Sequence, residues 1–353
     1  MKGGSNNRII SLTLPNLPPA IIRIPRFVGD VLRGIHDQHA VASLLGGTAI
    51  PVPETIAYDT TLENQIESEY TIQRRIPGVP LEDIYYGLEI SEKEHVLSQV
   101  IDLLVEMENI QFPATGQLVA TGCLPDAQVV NRSDTSHNAG VATAPFPIWR
   151  GEPPQPGPTP TTLEDTFADR FRAWDTKRET RPGKALVPIF AQLEEIVAEM
   201  RSLGFFEGCS VAPNVLHHWD FQPRNIIVEA EDNRYKVTGL LDWDEVLSVP
   251  LVLARKPPAW LWLPEGKMTS SQDADEWELG PAELRTLFER KMRKRVGSQY
   301  VEDAFGKGRW IRRVWGFLLH GFYSSEDFKR FKRFIEEWNS YKGDTKPAAR
   351  PVG

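Results

Sequence analysis

Leu216-His217-His218-Trp219-Asp220-Phe221-Gln222-Pro223-Arg224-Asn225-Ile226-Ile227-Val228, followed by Leu240-Leu241-Asp242-Trp243-Asp244, is the stretch from which the fold is read. It runs as an apolar approach, a polar loop with a proline, an apolar strand, an Asp232-Asn233 turn and a second strand ending in acids. If 226–228 pairs with 237–241, the turn closes one end of the ladder and Asn225 and Asp242 are drawn towards the other. Asp220 enters that same end along the loop. Three hard oxygen side chains on loops suit a hydrated magnesium ion, and with it phosphate, better than zinc. A zinc site built on His217, His218 and Asp220 is the competing chemistry, but neighbouring side chains on an extended segment point to opposite faces. Asp and Asn are also common at turns and caps. The weight therefore rests on the joint pattern of His-x-Asp-x-x-x-x-Asn, strand, turn, strand and Asp-Trp-Asp.

That joint pattern resembles the catalytic loop and metal-binding Asp of eukaryotic-like kinases. With Asp242-Trp243-Asp244 in place of Asp-Phe-Gly, and Pro257-Pro258-Ala259-Trp260-Leu261-Trp262 downstream, the chain is similar to the aminoglycoside phosphotransferase and choline-kinase-like branch in its fungal form. The resemblance implies an α+β, bilobal protein-kinase-like fold: a small antiparallel β-rich N-lobe and a larger, mostly helical C-lobe. It implies transfer of phosphate from ATP, with Mg2+, to a hydroxyl of a small molecule. On it, Asp220 is the base that accepts the hydroxyl proton, His218 braces the loop, and Asn225 and Asp242 hold the metal. Asp244 serves a second ion or a cationic substrate, or caps the next turn.

Upstream, Gly3-Gly4-Ser5 precedes the alternating run Ile9-Ile10-Ser11-Leu12. A glycine-serine turn ahead of a strand can lay backbone N–H groups over phosphates, although such a turn is also an ordinary flexible end. In the family a strand precedes this loop, and here the chain begins at the loop, so the N-lobe is expected to lack its first strand. Ala20-Ile21-Ile22-Arg23-Ile24-Pro25 reads as the next strand, ending at its proline. Arg23 is expected to contact phosphate, with Arg26 as the alternative. Residues 34–45 place Val41, Leu44 and Leu45 at helical spacing, suiting a helix packed on the sheet. The helix acid that pairs with the basic strand residue in the family falls at Asp37 or Gln38. The resemblance puts the adenine-contacting hinge near Gln73, Arg74 and Ile76, and Pro77-Gly78 marks the passage to the second lobe. The expected division is 1–78, 79–345 and a tail at 346–353.

Beyond the hinge, Val96, Leu97, Val100, Leu103, Leu104 and Met107 form a helical apolar stripe, with Ser91 and Glu94 as its expected capping box. Residues 111–160, rich in Pro, Gly, Ser and Thr, read as a loop region packed on the large lobe. Helical patterns follow at 161–177 and 184–203, and the aromatic C-terminus reads as core. The chain has 353 residues, 41% hydrophobic and 25% charged, which is an ordinary globular composition. A net charge of -8 and a pI near 5.5 speak against a nucleic-acid partner. Two cysteines, Cys123 and Cys209, are too few for a disulfide framework, and neither a signal peptide nor a membrane span is read, so the expected location is cytoplasmic. Two other functions stay in view. One is a pseudokinase or nucleotide-binding module, suggested by the short N-lobe and the missing helix Glu. The other is a protein kinase, opposed by Asp242-Trp243-Asp244, by Gln222 where protein kinases carry Lys, and by the lack of an Ala-Pro-Glu segment.

Overall fold

Alternation of apolar and polar side chains sets the first strands, because a strand turns successive residues to opposite faces. A computed structural model of the chain describes residues 7–26, 34–121, 128–129, 140–146, 158–177, 181–209, 212–232, 234–244, 246–264 and 282–345. Strands β1 (Asn7–Leu12) and β2 (Ala20–Pro25) pair antiparallel; helix α1 (Ile35–Leu45) follows, then β3 (Thr55–Asp59) and β4 (Tyr70–Arg74). The sheet runs β1-β2-β4-β3. Ile10, Ile22 and Ile72 lie in one cross-strand row, and Ile9, Arg23 and Thr71 in the next. Adjacent rows show opposite faces, so Arg23 is turned away from the isoleucine row.

Helix α1 buries Val41, Leu44 and Leu45 as its spacing requires. Its main packing partner, however, is a strand of the larger body, Gly116–Ala120, with lighter contact to β3. Asp37 explains this docking: its Oδ1 accepts from Ala120 N at 2.7 Å. Chain passage between the lobes is made by β5 (Val79–Pro80), which leaves the first sheet and pairs with a later hairpin. Gly78 precedes it at φ 113, where a Cβ would collide with the Val228 carbonyl. Only glycine fits this approach.

The larger body opens with α2 (Ile90–Asn109), which buries Val96, Leu97, Val100, Leu103 and Met107. Its capping box is Glu89 with Glu92, not Ser91 with Glu94: Glu92 Oε2 accepts from Glu89 N at 3.0 Å, which starts the helix one residue ahead of Ser91. The expected loop region also contains strands, β6 (Gln111–Phe112), β7 (Gly116–Ala120), β8 (Gln128–Val129) and β9 (Val141–Ala144). They escape a periodicity search because they are short, and because β9 is buried on both faces and so shows no alternation. Helices α3 (Leu163–Thr176) and α4 (Arg181–Ser202) lead to β10 (Asn214–His218), the hairpin β11 (Ile226–Glu231) and β12 (Arg234–Leu240), and β13 (Val246–Pro250). The order β6-β10-β13-β7-β9-β8 makes a six-stranded antiparallel sheet, and β12-β11-β5 a smaller one. The chain ends in α5 (Leu251–Ala254), α6 (Ala282–Val296), α7 (Gln299–Phe305), α8 (Lys307–His320) and α9 (Ser325–Thr345).

Among the described residues, two large apolar cores and a small cluster of Val119, Ala142 and Ala144 hold this body. One large core joins α1, α2, the β11–β12 hairpin, Trp260, Trp262 and α6; the other joins α3, α4, β13, α8 and α9 around Trp310, Trp315, Phe334 and Trp338. The C-terminal aromatics are thus core residues, with Phe328 exposed. Among the described residues, no helix is long and apolar enough to cross a membrane. Cys209 is a free thiol, while Cys123 lies outside the described residues.

Candidate active site

The hairpin forms as its sequence dictates. Ile226 pairs with Leu240, Val228 with Val237 and Glu231 with Arg234, with a bulge at Ile227/Val228. Asp232 sits in the connecting turn at φ 49, a left-handed value that Asp tolerates. At the open end, Leu241 N donates to Asn225 O at 2.7 Å. The loop that carries Asp220 is thereby tied to the segment just past β12 that carries Asp242.

Asp220 and Asn225 touch directly. Asn225 Nδ2 donates to Asp220 O and to Asp220 Oδ2, both at 2.9 Å, and Asn225 is buried. Both bonds use the amide nitrogen, so the side-chain oxygen Oδ1 is the atom turned to other partners. Arg224, in the one-turn helix Pro223–Asn225, places Nη2 2.6 Å from Asp220 Oδ1 and 2.7 Å from Oδ2. Nothing in the sequence beyond the four-residue spacing of two opposite charges announced this contact.

His218 is buried, and its Nε2 lies 2.8 Å from Leu241 O. A carbonyl only accepts, so Nε2 carries the proton. Burial pushes the imidazole below its ordinary pKa, keeping it neutral. Its ring meets Trp243 edge-on at 4.7 Å, and Trp243 Nε1 donates to Leu240 O at 2.8 Å. His217, paired opposite Leu247 in β10, meets Trp219 instead, at 5.7 Å. The two histidines therefore do not converge on one metal. Trp260 contributes another brace, its Nε1 donating to Phe221 O at 3.1 Å.

Asp242 adopts φ 66, and its side chain is 43% exposed. Arg23 reaches it from the other lobe at 3.8 Å. The principal partner of Arg23 is Asp244, whose oxygens lie 3.1 and 2.8 Å from Nη2, with Asn7 Nδ2 3.3 Å from Oδ2. The ion pair between the strand arginine and a helix acid, left open by the missing helix Glu, is not made at Asp37: its carboxylate is bound to Ala120 N, and an acid from the Asp-Trp-Asp run stands beside Arg23 instead.

The expected hinge residues lie at and just past the end of β4. Gln73 is buried within β4, between Ile21 and Thr55. Arg74 donates from its amide to Glu54 O at 2.8 Å and from Nε to Glu54 Oε2 at 2.7 Å. Ile76 rests over Gly239, where any Cβ would meet its side chain. Arg26 ends the described N-terminal segment, and Gly3, Gly4 and Ser5 lie outside the described residues.

Among the described residues, no group of three or more His, Cys, Asp or Glu is arranged to hold a metal. A magnesium ion asks for less, since it keeps several waters and takes one or two protein oxygens beside phosphate. The oriented Asn225 Oδ1 and the half-exposed Asp242 carboxylate fit that requirement.

A model of the phosphotransferase enzyme family matches residues 1–252. Two subtelomeric hrmA-associated cluster proteins of Aspergillus fumigatus strains are each 29% identical, over 120 and 117 residues, or 33% of this chain. The chain matches only 24% and 23% of the length of these curated relatives. Among solved structures, a thermostable mutant of aminoglycoside phosphotransferase APH(4)-Ia, in ternary complex with AMP-PNP and hygromycin B, superposes with a TM-score of 0.52 at 15% identity, covering 98% of this chain and 94% of its own. A further mutant of that enzyme, complexed with ADP and hygromycin B, gives 0.50 at 16% identity, covering 99% and 94%. At such identities the likeness is one of fold, a kinase-like bilobal arrangement.

Proposed function

This chain belongs to the phosphotransferase enzyme family, and from that premise we propose that it transfers the γ-phosphoryl group of ATP, with Mg2+, to a hydroxyl of a small molecule. The observation that carries the proposal is the Asp220–Asn225 pair, hydrogen-bonded to each other and tied through Leu241 to Asp242. Asp220 orients the acceptor hydroxyl and takes its proton; His218 holds the backbone at Leu241 in place. Asn225 and Asp242 are the metal ligands, and Asp244 positions Arg23 for the nucleotide phosphates. Bound Mg2+ supplies charge neutralisation at the phosphate oxygens. The lobes are assigned as 1–78 and 79–345; the expected tail at 346–353 lies outside the described residues. The solved neighbours carry AMP-PNP or ADP together with hygromycin B, which supports a nucleotide donor and a hydroxyl-bearing small acceptor.

In the reaction the acceptor oxygen forms a bond to phosphorus, the bond from phosphorus to the β,γ-bridging oxygen breaks, and its electron pair leaves with ADP. The hydroxyl proton goes to Asp220. Such chemistry is mostly positioning and charge neutralisation, so Asp220→Ala is expected to lower turnover on the order of 10³-fold. ATP consumption against a panel of hydroxyl metabolites measures it; wild-type turnover by the variant excludes Asp220 as base. A second reading, a nucleotide-binding module without transfer, draws on the ion pairs that engage both Asp220 oxygens and Arg23. Binding of Mg-ATP with no turnover across the panel selects it.

A further inference from the structure

Arg224 is the cation nearest the base, and the roles assigned above leave it without one. Its Nη2 lies within 2.7 Å of both Asp220 oxygens, and Asn225 Nδ2 adds a third hydrogen bond, at Oδ2. An acceptor hydroxyl must compete with the guanidinium for the same lone pairs. The Arg224 side chain is 48% exposed against 24% for Asp220, so the guanidinium covers the base from the solvent side. Ion pairs this exposed are weak, and a phosphoryl group with two negative charges is a stronger partner for a planar guanidinium than one carboxylate.

The geometry also brings such a group within reach. A hydroxyl giving its proton to Asp220 lies about 3 Å from it, in line with the phosphorus it attacks. The equatorial phosphoryl oxygens then enter the volume that a swing of the Arg224 side chain covers.

Resting on the phosphotransferase reading, we propose that Arg224 is a ligand of the transferred phosphoryl group, held on Asp220 by its ion pair and exchanged onto the γ-phosphate oxygens when the triphosphate binds. The exchange does two things together. It frees an Asp220 oxygen to accept the hydroxyl proton, and it places a positive charge against the three equatorial oxygens as the new O–P bond forms and the bond to the bridging oxygen breaks. Arg224 engages only the group that is transferred, so its removal has a signature: it distinguishes triphosphate from diphosphate.

Calorimetric titration of the full chain with Mg2+ and either ADP or AMP-PNP, and with the corresponding guanine pair, tests this in wild type, R224A and R224Q. Both variants are expected to keep the diphosphate Kd within about twofold while weakening the triphosphate analogue about tenfold or more, the scale of a lost charge-assisted contact. R224K is expected to recover part of that loss, since lysine keeps the charge without the fork. R224Q preserves the side-chain stem should R224A fail to fold. Equal weakening of both nucleotides, or of neither, overturns the role of Arg224 and leaves the phosphotransferase reading intact. Wild-type protein that binds no nucleotide of either base overturns both.

Discussion

Asp242 shows how much is decided at a single residue. Its φ of 66 lies in the left-handed region, which Asn and Asp visit more readily than other side chains. Asp242→Asn is therefore expected to fold normally, with its thermal midpoint near wild type, while metal-dependent turnover falls on the order of 10²-fold or more. Unchanged turnover and magnesium dependence would remove Asp242 from the site. His217 makes a separate prediction. Burial first, then the charges of Lys256, His218 and Arg312, push its pKa down to about 3. Below the ordinary histidine pKa of about 6.5 the unfolded chain takes up a proton that the folded chain refuses, so stability declines as pH falls from there towards 3 and is unaffected above it. Urea unfolding at pH 7 and pH 5 should show a smaller loss in His217→Gln than in wild type; equal slopes in the two proteins reject the assignment.

Among elements, the join of α2, α5 and α7 is the most exacting. Arg255, just past α5, is 7% exposed and pairs with Glu108 of α2 at 2.9 Å and with Asp303 of α7 at 2.8 Å. Its guanidinium also lies 5.4 Å from the centre of the Tyr300 ring. Removing one member of such a set leaves buried charge uncompensated, so Arg255→Ala is expected to destabilise by about 3–5 kcal/mol in denaturant melts. A loss below about 1 kcal/mol, the range of surface pairs, would mean that water already screens the network. The β5–hairpin junction depends on Gly78 in the same way. A side chain there meets the Val228 carbonyl, so register at that end of the catalytic hairpin rests on the absence of one carbon.

For the whole molecule, the link between lobes runs through the site itself. Arg23 and Asn7 from the small sheet meet Asp244, separated from Arg23 by 221 positions in the chain. Binding nucleotide to the folded state must raise stability by mass action, by about 2.7 kcal/mol at a hundredfold excess over Kd. Mg-ATP is expected to raise the thermal midpoint of the wild-type chain, and Arg23→Ala to diminish that rise at equal ligand concentration. An unchanged response in Arg23→Ala would place the phosphate contact elsewhere.

The kinase-like fold was legible in the sequence because the hairpin is local. The apolar run Ile226-Ile227-Val228 goes inside, Asp232 accepts the turn, and pairing then carries Asn225 and Asp242 to one end. The helices α1, α2, α3 and α4 were legible for the same reason, their apolar residues recurring at helical spacing. What lies between distant segments was not. The partner of Arg23, the engagement of Asp37 with Ala120, and the strands within 111–160 follow from how the lobes and the six-stranded sheet dock. Arg224 on Asp220 is nearer in sequence, yet equally hidden, because a four-residue spacing of charges says nothing of contact until a proline turn folds one over the other. Periodicity records which side of an element is apolar. Which charge meets which is settled only when packing brings two surfaces together and removes the water between them.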